Sequence, residues 1–590
     1  MSVSDPFRGT PMVSKGVRMR GSKAVVETLK AHGTEYLFGV PGSTIPLFAE
    51  FAGRDDVKLI LTRDERGAAC MADGYARISH KPGVCTAIEG PGTTNLLTGI
   101  GEAWMSSIPV IAITAARTPT ESAKNPIMFC RGRVYDTFDV LKPYTKWGIQ
   151  VHHPARVSEL ISRAYAISTT GRPGPVQVEL YPDAMYQEWE FDIEGQADMQ
   201  YSTWPAQPVW PDPAKLKEAA KLLVTAKKPV LIAGGGVVRA RAWPELIELA
   251  EYLSIPVATS LFGKGSIPEK HPLAVGCCGI HSRLSANQTV EDSDLALFIG
   301  SNTDMHTTNK WTSPVPGETT VLHIDIDPEE LGRNYPTAVG IVSDAKTGLA
   351  GLLAAVKEIV PKKRHLQERY DTVKTRVDNW RAKIHPDQIS DAMPIKPQRL
   401  MREIADFLKP DAIVLGDLSF SSIWVNVHYD TPIPGPFITY ARGFDLLGWG
   451  LPASLGAQLA APGKQVLSLI GDGSLGYCIG ELETAARYNI PAVNVVLNNS
   501  TLGYEKFLIK YFNEPGKITP EQPGCDYTNV DYAAVARAFG CVGIRVTHPS
   551  QIRPALEEAF ASGRPALIDV VIDAEVIPPS TFFSEDIRSA

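Results

Sequence analysis

Short apolar runs alternate with segments of helical spacing along most of the chain. "VKLILT" (Val57–Thr62) and "GVCTAI" (Gly83–Ile88) are continuous apolar stretches of strand length. Such runs fit strands covered on both faces. Between them, "ERGAACMADGYARI" repeats its apolar positions at helical spacing, and "GPVQVELYP" closes the block. The first block is assigned to residues 18–195. Pro-rich "WPAQPVWPDPA" (Trp204–Ala214) reads as a linker. A second block, residues 211–358, opens on "PVLIAGGGVV" and ends its strand pattern near "TVLHIDIDP". A polar, charged stretch from about Pro361 to Pro397 separates it from the third block, residues 396–575, which begins at "AIVLGD". Strands alternating with helices predict an α/β protein with three doubly wound parallel-sheet domains. The first and third blocks look like two versions of one architecture.

Length and composition narrow the partners. A chain of 590 residues is too long for one core. A net charge of −7 without a long basic run gives no footprint for nucleic acid. No apolar stretch has the length of a bilayer span. The eight cysteines are scattered without a CxxC spacing, which fits reduced thiols and a cytoplasmic protein. The basic N-terminus lacks an apolar core, so it is read as a transit peptide or a disordered extension, not a secretory signal.

The chemistry concentrates in "GDGSLGYCIGELETAARYNIPAVNVVLNNS", Gly471–Ser500. "KQVLSLI" reads as a strand, "GYCIGELETAARYN" as a helix and "AVNVVLNN" as the next strand. A right-handed crossover puts the two strands parallel, with Asp472 and Asn499 both at the carboxyl edge. Gly471 and Gly473 let the backbone approach a bulky anion, and the N–H groups of Gly473 and Ser474 suit a phosphate. Asp472 and Asn499 supply only oxygen ligands, the choice of a hard cation such as Mg²⁺ that completes its octahedron with phosphate and water. The spacing asks for a metal-bound diphosphate. A lone GDG would serve equally as an ordinary helix start.

This pattern resembles the signature of thiamine diphosphate (ThDP) enzymes, and the resemblance covers about Arg18 to Asp573. It implies that Asp472, Asn499 and the backbone oxygen of Thr501 hold Mg²⁺. It implies that Glu65, in "TRDERGAACMADGYAR", meets the aminopyrimidine of the cofactor, with Gly67, Ala68 and Ala69 kept small for its approach. Leu447, in "GFDLLGWGLPASLGAQLA", falls where the family places the apolar residue that bends the cofactor. Asp445 stands where a glycine is expected. Ser419 and Gly92, the latter in "EGPGTTN", are further cofactor contacts. The family builds each site from two subunits, so a homodimer or homotetramer is expected. In relatives the middle block binds FAD or ADP, or keeps an empty site; Gly234, Gly235 and Asp325 are the candidates here.

The likeness is to the acetohydroxyacid synthase, benzaldehyde lyase, oxalyl-CoA decarboxylase and 2-hydroxyacyl-CoA lyase group. In "STLGYEKFLIKYF", Glu505 and Leu508 replace an apolar residue and a tryptophan of the synthases. Glu505 is therefore read as a proton-transfer group. Tyr135 is read as a substrate hydrogen-bonding or packing residue, near Arg131 and Arg133. Ser43, in "VPGSTIP", stands where relatives carry a proton-transfer residue. His152 and His153 are taken as structural. These departures favour a carbon–carbon lyase or decarboxylase acting on a 2-oxo acid or an acyl-CoA, best a 2-hydroxyacyl-CoA lyase. The alternative is an acetolactate-synthase-like or benzaldehyde-lyase-like carboligase. The remote alternative is a non-catalytic regulatory subunit.

Overall fold

The computed structural model describes residues 16–121, 124, 137–513 and 524–581. Its strands in chain order are β1 (Val17–Arg20), β2 (Tyr36–Gly39), β3 (Lys58–Leu61), β4 (Gly83–Ala87), β5 (Val110–Ala115), β6 (Trp147–Val151), β7 (Val176–Leu180) and β8 (Glu188–Phe191). Then follow β9 (Pro229–Ala233), β10 (Val257–Thr259), β11 (Ala274–Cys277), β12 (Leu295–Ile299), β13 (Thr320–Asp325) and β14 (Thr337–Val342). The last group is β15 (Ile413–Gly416), β16 (Ile438–Tyr440), β17 (Val466–Gly471), β18 (Val493–Asn498), β19 (Val542–Val546) and β20 (Ala566–Val571).

These strands form three six-stranded sheets, ordered β3-β2-β4-β5-β7-β6, β11-β10-β9-β12-β13-β14 and β16-β15-β17-β18-β20-β19. Every pairing within them is parallel. β1 and β8 form a separate antiparallel ribbon. The expected α/β architecture of three parallel sheets is observed. The first and third sheets share one strand order, and the middle sheet has the order of dinucleotide-binding folds.

Three details differ from the sequence reading. The strand pattern of the middle block continues past "TVLHIDIDP" to β14, before the helix Ala345–Ile359 closes the block. The charged stretch after it is a 22-residue helix, Gln367–Gln388, anchored by buried Val373 and Trp380. Its polar faces hid the helix because only two residues reach the core. Of "GYCIGELETAARYN" only Glu481–Arg487 is regular helix, with a separate short helix, Asp472–Gly476, before it; Gly476 and Gly480 weaken a continuous helix.

The first and third domains share a core. The helix Glu65–Ser79 lies against the helix Gly450–Ala460 through Gly74 and Gly456. A Cβ on Gly74 would run into the Ala453 carbonyl, and one on Gly456 into the Met71 carbonyl. Glycine there permits backbone-to-backbone contact. The described cysteines are all unpaired and buried. No helix among the described residues is long and apolar enough to cross a membrane.

Candidate cofactor site

β17 and β18 are adjacent and parallel, with Gly471 opposite Leu497. Asp472 and Asn499 therefore leave neighbouring strands at the same edge. Asp472 is buried, and its carboxylate accepts from the N–H groups of Gly473 at 2.8 Å and Ser500 at 2.6 Å. Burial pushes it up to about 6, against those two bonds. Asn499 Oδ1 faces Asp472 Oδ1 at 3.3 Å and the Thr501 carbonyl oxygen at 2.9 Å. In this orientation the amide oxygen faces two acceptors and accepts only from Thr501 N–H, at 3.3 Å. Either the amide turns so that its NH₂ donates to both, or a cation sits between the oxygens. The donor set suits a hard divalent ion.

These residues line an open cleft of about 530 Å³ with Leu418, Ser419, Phe420, Leu447, Gly473, Ser474, Glu505, Ile572 and Val576 among its walls. Glu505 is exposed there, and Lys506 beside it is buried and reaches Asp526 at 3.3 Å. Ser474 is tied inward: its hydroxyl donates to Asp417 Oδ2 at 2.7 Å and accepts from Gly448 N–H at 2.8 Å. That pair locks the GDGS turn to the segment bearing Leu447. Asp417, pushed up to about 6 by burial, was missed in the sequence, although it ends the quoted "AIVLGD". Of the predicted phosphate donors, Gly473 N–H is engaged by its own neighbour Asp472.

Asp445 has φ +55. This explains why a glycine is expected there, because the left-handed region costs a side chain energy. Ser419 is held at φ 68, ψ −143, a region that is nearly glycine's alone.

Glu65 begins its helix behind the N-cap Asp64, whose side chain accepts from Arg66 N–H at 2.7 Å. Glu65 is 8% exposed and its Oε2 accepts from Asn95 Nδ2 at 3.0 Å. Gly92 leaves room at its Oε1, where a Cβ would come within 3.0 Å. Gly67 faces Glu481 of the third domain, Ala69 packs on Gly99, and Gly67, Ala68 and Ala69 are all buried. The described residues that line this cleft come from 418–576, and Glu65 is not among them. Ser43 donates to Glu89, and Glu89 pairs with Arg117 at 2.7 Å. Tyr135, Arg131 and Arg133 lie outside the described residues. His152 packs on Tyr181, and His153 Nδ1 accepts from Ala155 N–H at 3.2 Å, both structural uses.

Two buried glutamates brace the first and third domains reciprocally. Glu102 accepts from Gly443 N–H at 3.2 Å and Phe444 N–H at 2.9 Å. Glu481 accepts from Arg63 N–H at 3.1 Å and Asp64 N–H at 3.2 Å. Burial pushes each up to about 7.

Gly235 and Asp325 line a second cleft, of about 830 Å³, between the first and middle domains. Asp325 is pushed up to about 6 by burial. Gly234 packs instead against the Gly300 carbonyl.

Three family models match the chain in order: the N-terminal TPP binding domain of thiamine pyrophosphate enzymes at residues 19–139, the central domain at 216–352, and the C-terminal TPP binding domain at 417–570. The chain belongs to the thiamine pyrophosphate enzyme family. It is 36% identical over 575 residues to the probable acetolactate synthase large subunit of Methanocaldococcus jannaschii, covering 95% of this chain and 93% of that one. It is 32% identical over 562 residues to the acetolactate synthase large subunit of Haemophilus influenzae, covering 94% and 95%. Against the isozyme 3 large subunit of Escherichia coli the figure is 30% over 570 residues, covering 94% and 95%. The protein is a ThDP-dependent enzyme, and the expectation of a regulatory subunit without that chemistry is set aside. The relatives also favour the carboligase alternative over the 2-hydroxyacyl-CoA lyase expected first.

Proposed function

We propose that the chain is an acetolactate-synthase-like carboligase, which condenses two 2-oxo acids with loss of carbon dioxide. The observation that carries this reading is the match to acetolactate synthase large subunits along 95% of the chain. The cleft supports the residue roles. Asp472, Asn499 and the Thr501 carbonyl hold Mg²⁺, because the end of the Asn499 amide lies 3.3 Å from Asp472 Oδ1 and 2.9 Å from the Thr501 carbonyl, which brings the three groups together. The turn at Gly473 and Ser474 takes the diphosphate, and Leu447, Asp445 and Ser419 shape the wall beside it. When bound, ThDP supplies a nucleophilic carbon and an electron sink for carbanion chemistry. Glu65 holds a proton at the aminopyrimidine end, oriented by Asn95. Because the described residues that line the cleft come from 418–576, a second copy supplies Glu65, in a homodimer or homotetramer. The cleft at Asp325 takes an adenine nucleotide, ADP or FAD.

One observation favours a second reading. Glu505 stands exposed on the cleft, where an acid could protonate a carbanion and release an aldehyde, as a lyase or decarboxylase requires. Acid-quenched reactions of the ThDP–Mg²⁺ enzyme with pyruvate separate the two. Acetolactate as the main product is expected. Acetaldehyde alone, or turnover only with a 2-hydroxyacyl-CoA, would replace the carboligase by the second reading.

A further inference from the structure

Arg442 follows β16 at the carboxyl edge of the third sheet, and its side chain is only 6% exposed. Nε donates to Ser422 Oγ at 3.1 Å. Nη1 stands 3.7 Å from Asp445 Oδ1, beyond hydrogen-bond range, and that carboxylate is 56% exposed. Nη2 is buried with no partner among the described residues. An idle donor on a buried guanidinium is costly. Burial pulls this group below its usual range.

The surroundings come from two domains. His281 lies in the loop after β11 and His306 in the loop after β12, with ring centroids 5.4 Å apart. The Tyr504 ring is 6.1 Å from that of His281. Both imidazoles are held below their usual range by burial first and by the Arg442 charge second. His306 Nδ1 is also without a partner among the described residues. Asp304 and Asp445 pull the other way on His306, but neither makes a hydrogen bond to Nη2.

This cluster adjoins the cofactor cleft. Ser422, which accepts from Arg442, follows the cleft residues Phe420 and Ser421. Tyr504 precedes Glu505, and its ring meets Phe420 at 5.6 Å. The chain after β20 passes Val576 in the cleft wall and ends its described course at Thr581, whose N–H donates to the Ile280 carbonyl at 3.0 Å beside His281. The free guanidinium edge thus sits in an enclosed place behind the cleft wall that Phe420, Ser421 and Glu505 help to form.

We propose that Arg442, through its free Nη2 and with His306 beside it, recognises the substrate carboxylate beside the cofactor cleft. The assignment rests on the 2-oxo acid reading above. A planar carboxylate would give the guanidinium its missing acceptor in a buried site, where charge-assisted bonds are strongest. Asp445 is too far and too exposed to do this.

Kinetics of the ThDP–Mg²⁺ enzyme with pyruvate test it. Arg442→Gln is expected to raise KM by about tenfold or more while kcat stays within about threefold, with Arg442→Lys between it and wild type. Unchanged KM in Arg442→Gln overturns the proposal, as does a loss confined to kcat. Calorimetric titration of the same enzyme with oxamate, an unreactive carboxylate isostere, keeps the two readings apart. Oxamate binding that Arg442→Gln abolishes supports the site even where pyruvate is not turned over. Equal binding by wild type and variant, or none by wild type, overturns it. Melting curves check folding. Should Arg442→Gln fail to fold, Arg442→Lys decides, because undiminished oxamate affinity there also overturns the proposal.

Discussion

The first and third sheets run in the same strand order, and each sets an acid followed by glycine after its third strand. The two acids meet different fates. Glu89 is buried, takes a bond from Ser43 and pairs with Arg117 at 2.7 Å. Asp472 is equally buried, accepts from the backbone N–H groups of Gly473 and Ser500, and faces the Asn499 amide at 3.3 Å. No salt bridge reaches it among the described residues. A fold supplies an edge and a turn. Whether the acid there is structural or a ligand depends on whether the chain itself provides the counter-charge. Glu89 is closed by an arginine, whereas no cationic side chain among the described residues pairs with Asp472.

Asp472→Ala should break the contrast most completely. Turnover is expected to fall by more than about a hundredfold, since even outer-shell metal partners cost 10–100-fold. ThDP and Mg²⁺ should then no longer raise the melting temperature, and a preserved shift would mean the metal is held elsewhere. Mixing inactive Glu65→Gln with inactive Asp472→Ala comes next. If sites form between copies, exchange of subunits should restore about a quarter of wild-type activity. No recovery after verified exchange would put both residues in one chain's site.

Stability sharpens the comparison. Arg117→Met should lower unfolding free energy by on the order of 2 kcal/mol, reduced from the fully buried case because Arg117 is partly exposed. Asp472→Asn should raise the stability of the cofactor-free protein, since it removes a buried charge with no counter-charge among the described residues. Chemical denaturation of both variants gives the signs, and two losses would remove the distinction.

The reciprocal glutamates predict a pH effect. Glu102 and Glu481 move from 4.5 to about 7 in the folded chain. A raised folded value means stability is fully present below the unfolded value and is lost as pH rises through about 7. Wild type should therefore lose melting temperature between pH 4.5 and 7.5 more steeply than Glu102→Gln or Glu481→Gln. Parallel slopes would remove these acids from the account. The smallest effect is expected at Ser419→Gly, a gain of about 1 kcal/mol from relief of its backbone conformation, read in the melting of the cofactor-free protein.

Much of the fold was readable because buried parallel strands are continuous apolar runs, as β4, β9 and β18 are. The helix Gln367–Gln388 was not, since two buried residues in 22 leave no apolar stripe to see. The GDG turn and the Asn pair were readable because one βαβ unit brings them together locally. Arg442, Glu102 and Glu481 were not, because their partners lie in another domain or far along the chain, and spacing carries no trace of such contacts. Gly67 was readable as small, but the Glu481 carboxylate facing it was not.

The sequence alone determined the strand-and-helix alternation and the placing of Asp472 and Asn499 at one sheet edge, because hydrogen bonding and periodicity act over short stretches of chain. Tertiary structure alone decided that Asp472 lacks a counter-charge while Glu89 has one, and that Arg442 is buried with an idle donor. Charge balance is a property of the space around a group, and segments hundreds of residues apart fill that space.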